Sequence, residues 1–168
     1  MKRKALFMSI LLISLFYGCS EKNDPKDDPK IFLKTIANED ITLERANDGF
    51  QYFSNKTLLL NFFTTNCVPC NAQFPHLNNL QEKYINELEI ISVLLEEKPS
   101  EEIQNFIKDK NISSIVTVDK NNFRLSTALG NITSVPHIVI YDKNGAYVTD
   151  YTGAVLEEMI EADLKRIF

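Results

Sequence analysis

Two cysteines three residues apart, Cys67 and Cys70 with Val68 and Pro69 between them, are the residues whose types and spacing could do chemistry. A disulfide needs Cβ atoms about 3.8 Å apart, which positions i and i+3 across the first turn of a helix meet with little backbone change. If a helix starts at Cys67, its unpaired N–H groups and positive dipole end favour a thiolate there. That thiolate is the nucleophile of thiol–disulfide exchange, passing through a mixed disulfide that Cys70, one turn inward, resolves. Pro69 offers no N–H and stiffens the loop. The two sulfurs need no cofactor. A zinc site would require two further ligands, and the two histidines, His76 and His137, do not form a ligand motif with the pair. No metal is expected.

The elements around the pair follow from hydrophobic patterning. Thr57–Phe63 (TLLLNFF) is a continuous apolar run, as for a central buried strand, and Leu88–Leu95 is a second. Between them a helix is expected from Cys67 to about Tyr84, with Phe74, Leu77, Leu80 and Tyr84 on one face. Ile31–Ile36 and Ile41–Glu44 alternate and read as strands, while Asp48–Phe53 suggests a turn of helix. A helix from Pro99-Ser100 to about Lys110, a strand at Ser114–Val118 and a helix at Phe123–Leu129 ended by Gly130 come next. His137–Tyr141 and Ala146–Tyr151 form a hairpin about Lys143-Asn144-Gly145. Val155–Phe168 patterns as an amphipathic helix whose stripe, through Leu156, Met159, Ile160, Leu164 and Ile167, is expected to be core. Strands alternating with helices predict an α/β domain of three layers, a mixed β-sheet with helices on both faces.

The N-terminus reads as targeting rather than fold. Lys2, Arg3 and Lys4 precede an uncharged, mostly apolar run, Ala5–Tyr17, ending in Gly18-Cys19-Ser20. Such a run reaches about 20 Å as a helix, short of a ~30 Å hydrocarbon core, and so resembles a signal peptide. Gly18-Cys19 resembles the bacterial lipoprotein box, with Cys19 lipidated to anchor the chain to a membrane, although Phe16 and Tyr17 stand where that box usually has Leu and a small residue. An uncleaved or differently cleaved signal is the alternative. The expected organisation is a signal peptide at 1–18, a flexible tether at 19–30 (polar, with Pro25 and Pro29) and one domain at 31–168, on the periplasmic side of a bacterial membrane. Removal of the three basic residues of 1–18 leaves 15 basic and 23 acidic residues, a net charge of −8. No basic footprint for nucleic acid is present.

The stretch Leu60–Cys70, Pro75 five residues after Cys70, Val135-Pro136 before the strand HIVIY, and Gly153 before the last helix together resemble the thioredoxin superfamily, in its membrane-anchored TlpA-like branch. The resemblance covers about Ile31 to Phe168. It implies a thioredoxin-like fold, a cis bond before Pro136 and a substrate groove shaped by Pro136, Val135 and Asn66. It also implies a periplasmic reductase of cysteine-containing proteins, such as apocytochrome c, recharged by a membrane electron donor. A disulfide-forming oxidant, whose disulfide needs an electron acceptor, is the alternative direction. Copper-delivery proteins of related fold use two cysteines and a late His, so Cu(I) binding by Cys67, Cys70 and His137 is a second alternative, though their cysteine spacing is one residue longer. A silent lipoprotein that binds a partner in the groove is a third. The chain departs from the family where carboxylates are usual. Asn61 stands six residues before Cys67, Gln73 three after Cys70, and Asn66 replaces the usual Trp; between Lys56 and Glu82 there is no Asp, Glu, Lys or Arg. Proton transfer at Cys70 must then involve water, His76, His137 or a residue distant in sequence.

Overall fold

The computed structural model describes residues 28–52 and 55–168. The signal at 1–18, Cys19 and the tether up to residue 27 lie outside these residues. Asp28, at the tether's end, is already tied to the domain: its carbonyl accepts from Arg45 Nε (3.1 Å) and its carboxylate pairs with Arg124. Among the described residues no helix is long and apolar enough to cross a membrane.

At the centre lies β4 (Thr57–Phe63), buried at every position. Such a strand is covered on both faces, and its side chains alternate between them. Leu58, Leu60 and Phe62 pack into one core with Leu125 of α3 (Asn121–Ala128). Leu59 packs on the other face with Leu77 and Leu80 of α1 (Val68–Lys83) and Ile160 and Leu164 of α4 (Glu157–Leu164). Phe63, on that same face, packs with Phe74 of α1 and Ile103 of α2 (Ser100–Asp109). Helices thus cover both faces, in the three-layer α/β arrangement that the patterning predicts.

β4 pairs in parallel with β5 (Leu88–Leu94), and β5 in parallel with β6 (Ile115–Val118). On its other side β4 pairs antiparallel with β7 (His137–Tyr141), and β7 with β8 (Tyr147–Thr152). β1 (Lys30–Thr35), β2 (Asp40–Ala46) and β3 (Gly49–Tyr52) complete an eight-stranded mixed sheet in the order β3-β2-β1-β6-β5-β4-β7-β8.

Two expectations need correction. The helical turn expected at Asp48–Phe53 is strand β3, paired with β2 from Leu43↔Tyr52 to Ala46↔Gly49. Gly49 permits the hairpin to fold back on the sheet, since a Cβ there would meet the Tyr141 ring at 2.2 Å. The C-terminal helix is shorter than Val155–Phe168, because Leu156 is an extended cap residue and after Leu164 the chain tightens into turns, with Arg166 N–H and Ile167 N–H bonding three residues back. Leu156 and Met159 are consequently 63% and 51% exposed rather than core.

Polar contacts lock α4 onto α1. The Glu161 carboxylate accepts from Lys83 Nζ (2.6 Å), Tyr84 Oη (2.5 Å) and Lys165 Nζ (3.0 Å). These three donors, Lys83 foremost, hold the Glu161 carboxyl down to about 2 from its ordinary 4.5. A carboxyl depressed in the folded state adds stability above its unfolded value and loses it as pH falls through the folded one. The Glu161 contribution is therefore present above about pH 4.5 and fades toward pH 2. Urea denaturation across that window will show the wild type losing more stability than E161Q, which has no carboxyl to protonate.

Candidate active site

Cys67 is the N-cap of α1. Its backbone is extended (φ −92°, ψ 103°), its carbonyl accepts from Asn71 N–H (3.1 Å), and its sulfur accepts from Cys70 N–H (3.1 Å). The helix starts here because β4 has ended, Val68 and Pro69 occupy positions where no intrahelical N–H bond is required, and Pro69 is tolerated for that reason. The two cysteines are joined as a disulfide with Cα atoms 5.1 Å apart. Cys67 retains 8% exposure and Cys70 1%. Val68 is 78% exposed beside them, and Asn66 and Pro69 are exposed as well. A nucleophile from outside can approach Cys67, whereas Cys70 is reached through Cys67.

The peptide bond Val135-Pro136 is cis. Val135 packs in the same cluster as Cys67, Cys70 and Phe74, which brings the segment before β7 to the disulfide. The Pro136 carbonyl accepts from Gly153 N–H (2.8 Å), and Gly153 adopts φ 91°, so the loop leading to α4 is fastened to the same place. Every residue the sequence nominated around the pair, from Asn66 to Cys70 and Val135-Pro136, thus falls at one end of the sheet. Pro75 lies inside α1 and withholds one N–H from its ladder.

Beneath the pair the surroundings are amides. Asn61 is 99% buried; its Nδ2 donates to Ser92 Oγ at 3.4 Å, and Ser92 Oγ lies 2.7 Å from Ser114 Oγ. Gln73, equally buried, accepts from Val155 N–H through Oε1 (2.8 Å). Asn61 Oδ1 and Gln73 Nε2 have no partner among the described residues.

Neither histidine serves the disulfide. His76 Nδ1 faces Glu157 (3.4 Å), which also accepts from Asn79. His137 pairs with Phe62 across the β4–β7 ladder, and the two rings lie 6.5 Å apart on the sheet face away from α1. Its Nδ1 meets Thr152 Oγ1 (3.0 Å) and its Nε2 lies 3.6 Å from Asp150. Burial lowers the His137 pKa, with Asp150 opposing. The copper alternative requires His137 as a third ligand, and the alternation of β7 turns it away. Among the described residues no three His, Cys, Asp or Glu cluster as a metal site.

One charged group that sequence reasoning missed does reach the site. Glu96, just beyond β5, accepts from Thr65 N–H at 2.5 Å, in the loop that leads to Cys67. The parallel register pairs Phe63 with Leu94, so two residues further on Glu96 stands beside Thr65. An acid directly after a buried strand was the available signal; the register that gives it meaning was not.

Comparison with known proteins agrees with this geometry. Residues 55–147 match the Thioredoxin-like family profile. The thiol-disulfide oxidoreductase ResA of Bacillus cereus is 26% identical over 179 residues, covering 99% of this chain and 98% of ResA. The thioredoxin-like protein YneN of Bacillus subtilis is 26% identical over 138 residues, 81% of this chain and 75% of YneN. The crystal structure of StoA from Bacillus subtilis superposes with a TM-score of 0.64 at 19% identity, over 81% of this chain and 97% of StoA, a likeness of fold. The chain belongs to the Thioredoxin-like family and is a thiol–disulfide oxidoreductase.

Proposed function

We propose that this chain reduces disulfides of exported proteins on the periplasmic side of a bacterial membrane, to which a lipid on Cys19 anchors it. The observation that carries the reading is the asymmetry of the pair, with Cys67 at the helix start and partly exposed, and Cys70 buried behind it. The Cys67 thiolate, accepting from Cys70 N–H, attacks one sulfur of a substrate disulfide. The other substrate sulfur leaves as a thiolate and takes a proton. Cys70 then gives up its proton and attacks Cys67 Sγ, so the second substrate sulfur leaves and the Cys67–Cys70 disulfide forms. Two electrons pass to the substrate, and a membrane thiol or dithiol donor returns them. The resemblance assigns Pro136, Val135 and Asn66 to the substrate groove, which Val135 packing with Cys67 and the exposure of Asn66 support. The TlpA-like resemblance supports apocytochrome c as a substrate class. The basic residues Lys2–Lys4, the apolar run Ala5–Tyr17 and Gly18-Cys19 support export and anchoring.

The purified protein should reduce insulin with dithiothreitol as donor, and its potential should lie near −270 mV; a value near −120 mV would make it an oxidant. C67S should abolish turnover. C70S should accumulate a mixed disulfide with substrate, seen as a mass adduct released by reductant. In cells, a labelled fatty acid should be incorporated into the wild type and not into C19A; a wild type that takes up no label would exclude the lipid anchor.

A further inference from the structure

Among the described residues, Glu96 is the one carboxylate that hydrogen-bonds the loop between β4 and Cys67. We propose that Glu96 is a positioning residue for the redox pair, whose charge opposes the Cys67 thiolate and so biases the pair toward its disulfide, making the reduced protein a stronger reductant. The inference rests on the assignment of Cys67 as the attacking sulfur.

The geometry is local. Thr65 precedes Cys67 by two residues, in a turn where Cys67 N–H approaches Thr64 O at 3.4 Å. Thr65 and Cys67 are separated by at most about 7 Å of chain, and the carboxylate lies one hydrogen bond from Thr65 N–H, so the charge stands at a distance from Cys67 on the order of the Debye length of about 8 Å at physiological ionic strength. Two influences then act on the Cys67 sulfur in opposite senses. The helix start and Cys70 N–H favour its negative form. A carboxylate held on the adjoining loop disfavours it. A thiolate less stable in the reduced protein means a disulfide harder to reduce.

No other charge competes for this role among the described residues. α1 has no acidic residue in its first turn, and His76 is engaged with Glu157 of α4. The segments Asn131–Pro136 and Gly153–Leu156 contain no titratable side chain. His137 lies across the sheet with Asp150. Lys98, the cation nearest Glu96 in sequence, is paired with Glu102 of α2; it also feels the Glu96 charge, and E96Q leaves that pairing with Glu102 in place. Glu97, next to Glu96, is exposed and has no hydrogen bond to the redox loop, which makes it a matched control.

The test measures the equilibrium of the purified protein with glutathione, and the pH profile of Cys67 alkylation, in wild type, E96Q, E96A and E97Q. E96Q keeps an oxygen to accept from Thr65 N–H and removes only the charge. The expected result is a shift of about three- to tenfold toward the reduced protein, tenfold being about 30 mV, with the alkylation midpoint moved to lower pH. E96A should shift the same way, and E97Q should match wild type. An E96Q protein whose equilibrium and alkylation midpoint equal those of wild type, or move the other way, overturns the proposal, as does an E97Q shift as large as that of E96Q. The reductase reading is judged separately by the wild-type potential. An oxidising wild type with the E96Q shift intact removes that reading and leaves the role of Glu96, and a reducing wild type unmoved in E96Q does the reverse.

Discussion

The parallel pairing of β4 with β5 is the constraint on which the site depends. Parallel neighbours cannot be joined by a tight turn, so the chain must cross over the sheet face between Phe63 and Leu88, and α1 makes that crossing. A right-handed crossover starts its helix at the C-terminal end of the first strand. The free N–H groups of α1 are thereby aimed at the edge of the sheet, where Cys67 caps them. The same pairing brings the end of β5, and Glu96, to that edge. β7 runs antiparallel to β4, so its beginning, with Val135-Pro136, arrives there too. Three segments far apart in sequence meet at one end because of strand direction alone.

Energetics set what this convergence can do. A helix N-terminus stabilises a nearby anion by about 0.3–1 kcal/mol at an exposed site and up to about 2 kcal/mol where the site is partly buried, whereas one pKa unit corresponds to about 1.4 kcal/mol. The helix dipole therefore moves a thiol by an amount on the order of one unit, and a charged neighbour can offset part of it. Asn61 and Gln73 matter in this light. A buried carboxylate in either place would pay a large desolvation cost or hold a proton, and would couple its titration to that of Cys70. Amides avoid the charge, at about 1–3 kcal/mol for each polar atom left unpaired.

Much of this was legible in the sequence, and the reasons are specific. β4 and β7 could be bounded to the residue because a strand buried on both faces is a continuous apolar run between polar breaks. The pair and its proline were recognisable as residue types, and the cis bond at Val135-Pro136 followed from the resemblance. β3 was not legible: Gly-Phe-Gln-Tyr is four residues at a sheet edge, and only its pairing with β2 makes it a strand. The last helix was overextended because apolar spacing continues through Leu156 and Met159, while the Gln73 bond to Val155 N–H and the left-handed Gly153 keep the entry to α4 out of helical register. His137 stood as a candidate copper ligand and proton carrier on residue type alone; a strand turns successive side chains to opposite faces, and the register with Phe62 puts it across the sheet from α1.

That separation has a chemical consequence. Titratable groups of α1 and its cap are engaged elsewhere, His76 with Glu157 and Lys83 and Tyr84 with Glu161, while His137 meets Thr152 and Asp150 across the sheet. The disulfide therefore sits in a patch whose nearest polar groups are backbone N–H groups, two amides and a carboxylate that hydrogen-bonds a backbone amide. Backbone dipoles do not titrate, so over the neutral range the balance at Cys67 changes little until the thiol itself does. A pair surrounded by amides and helix N–H groups exchanges electrons with its acid–base behaviour confined to its own two sulfurs, whereas buried acids beside it would spread that behaviour over a coupled set.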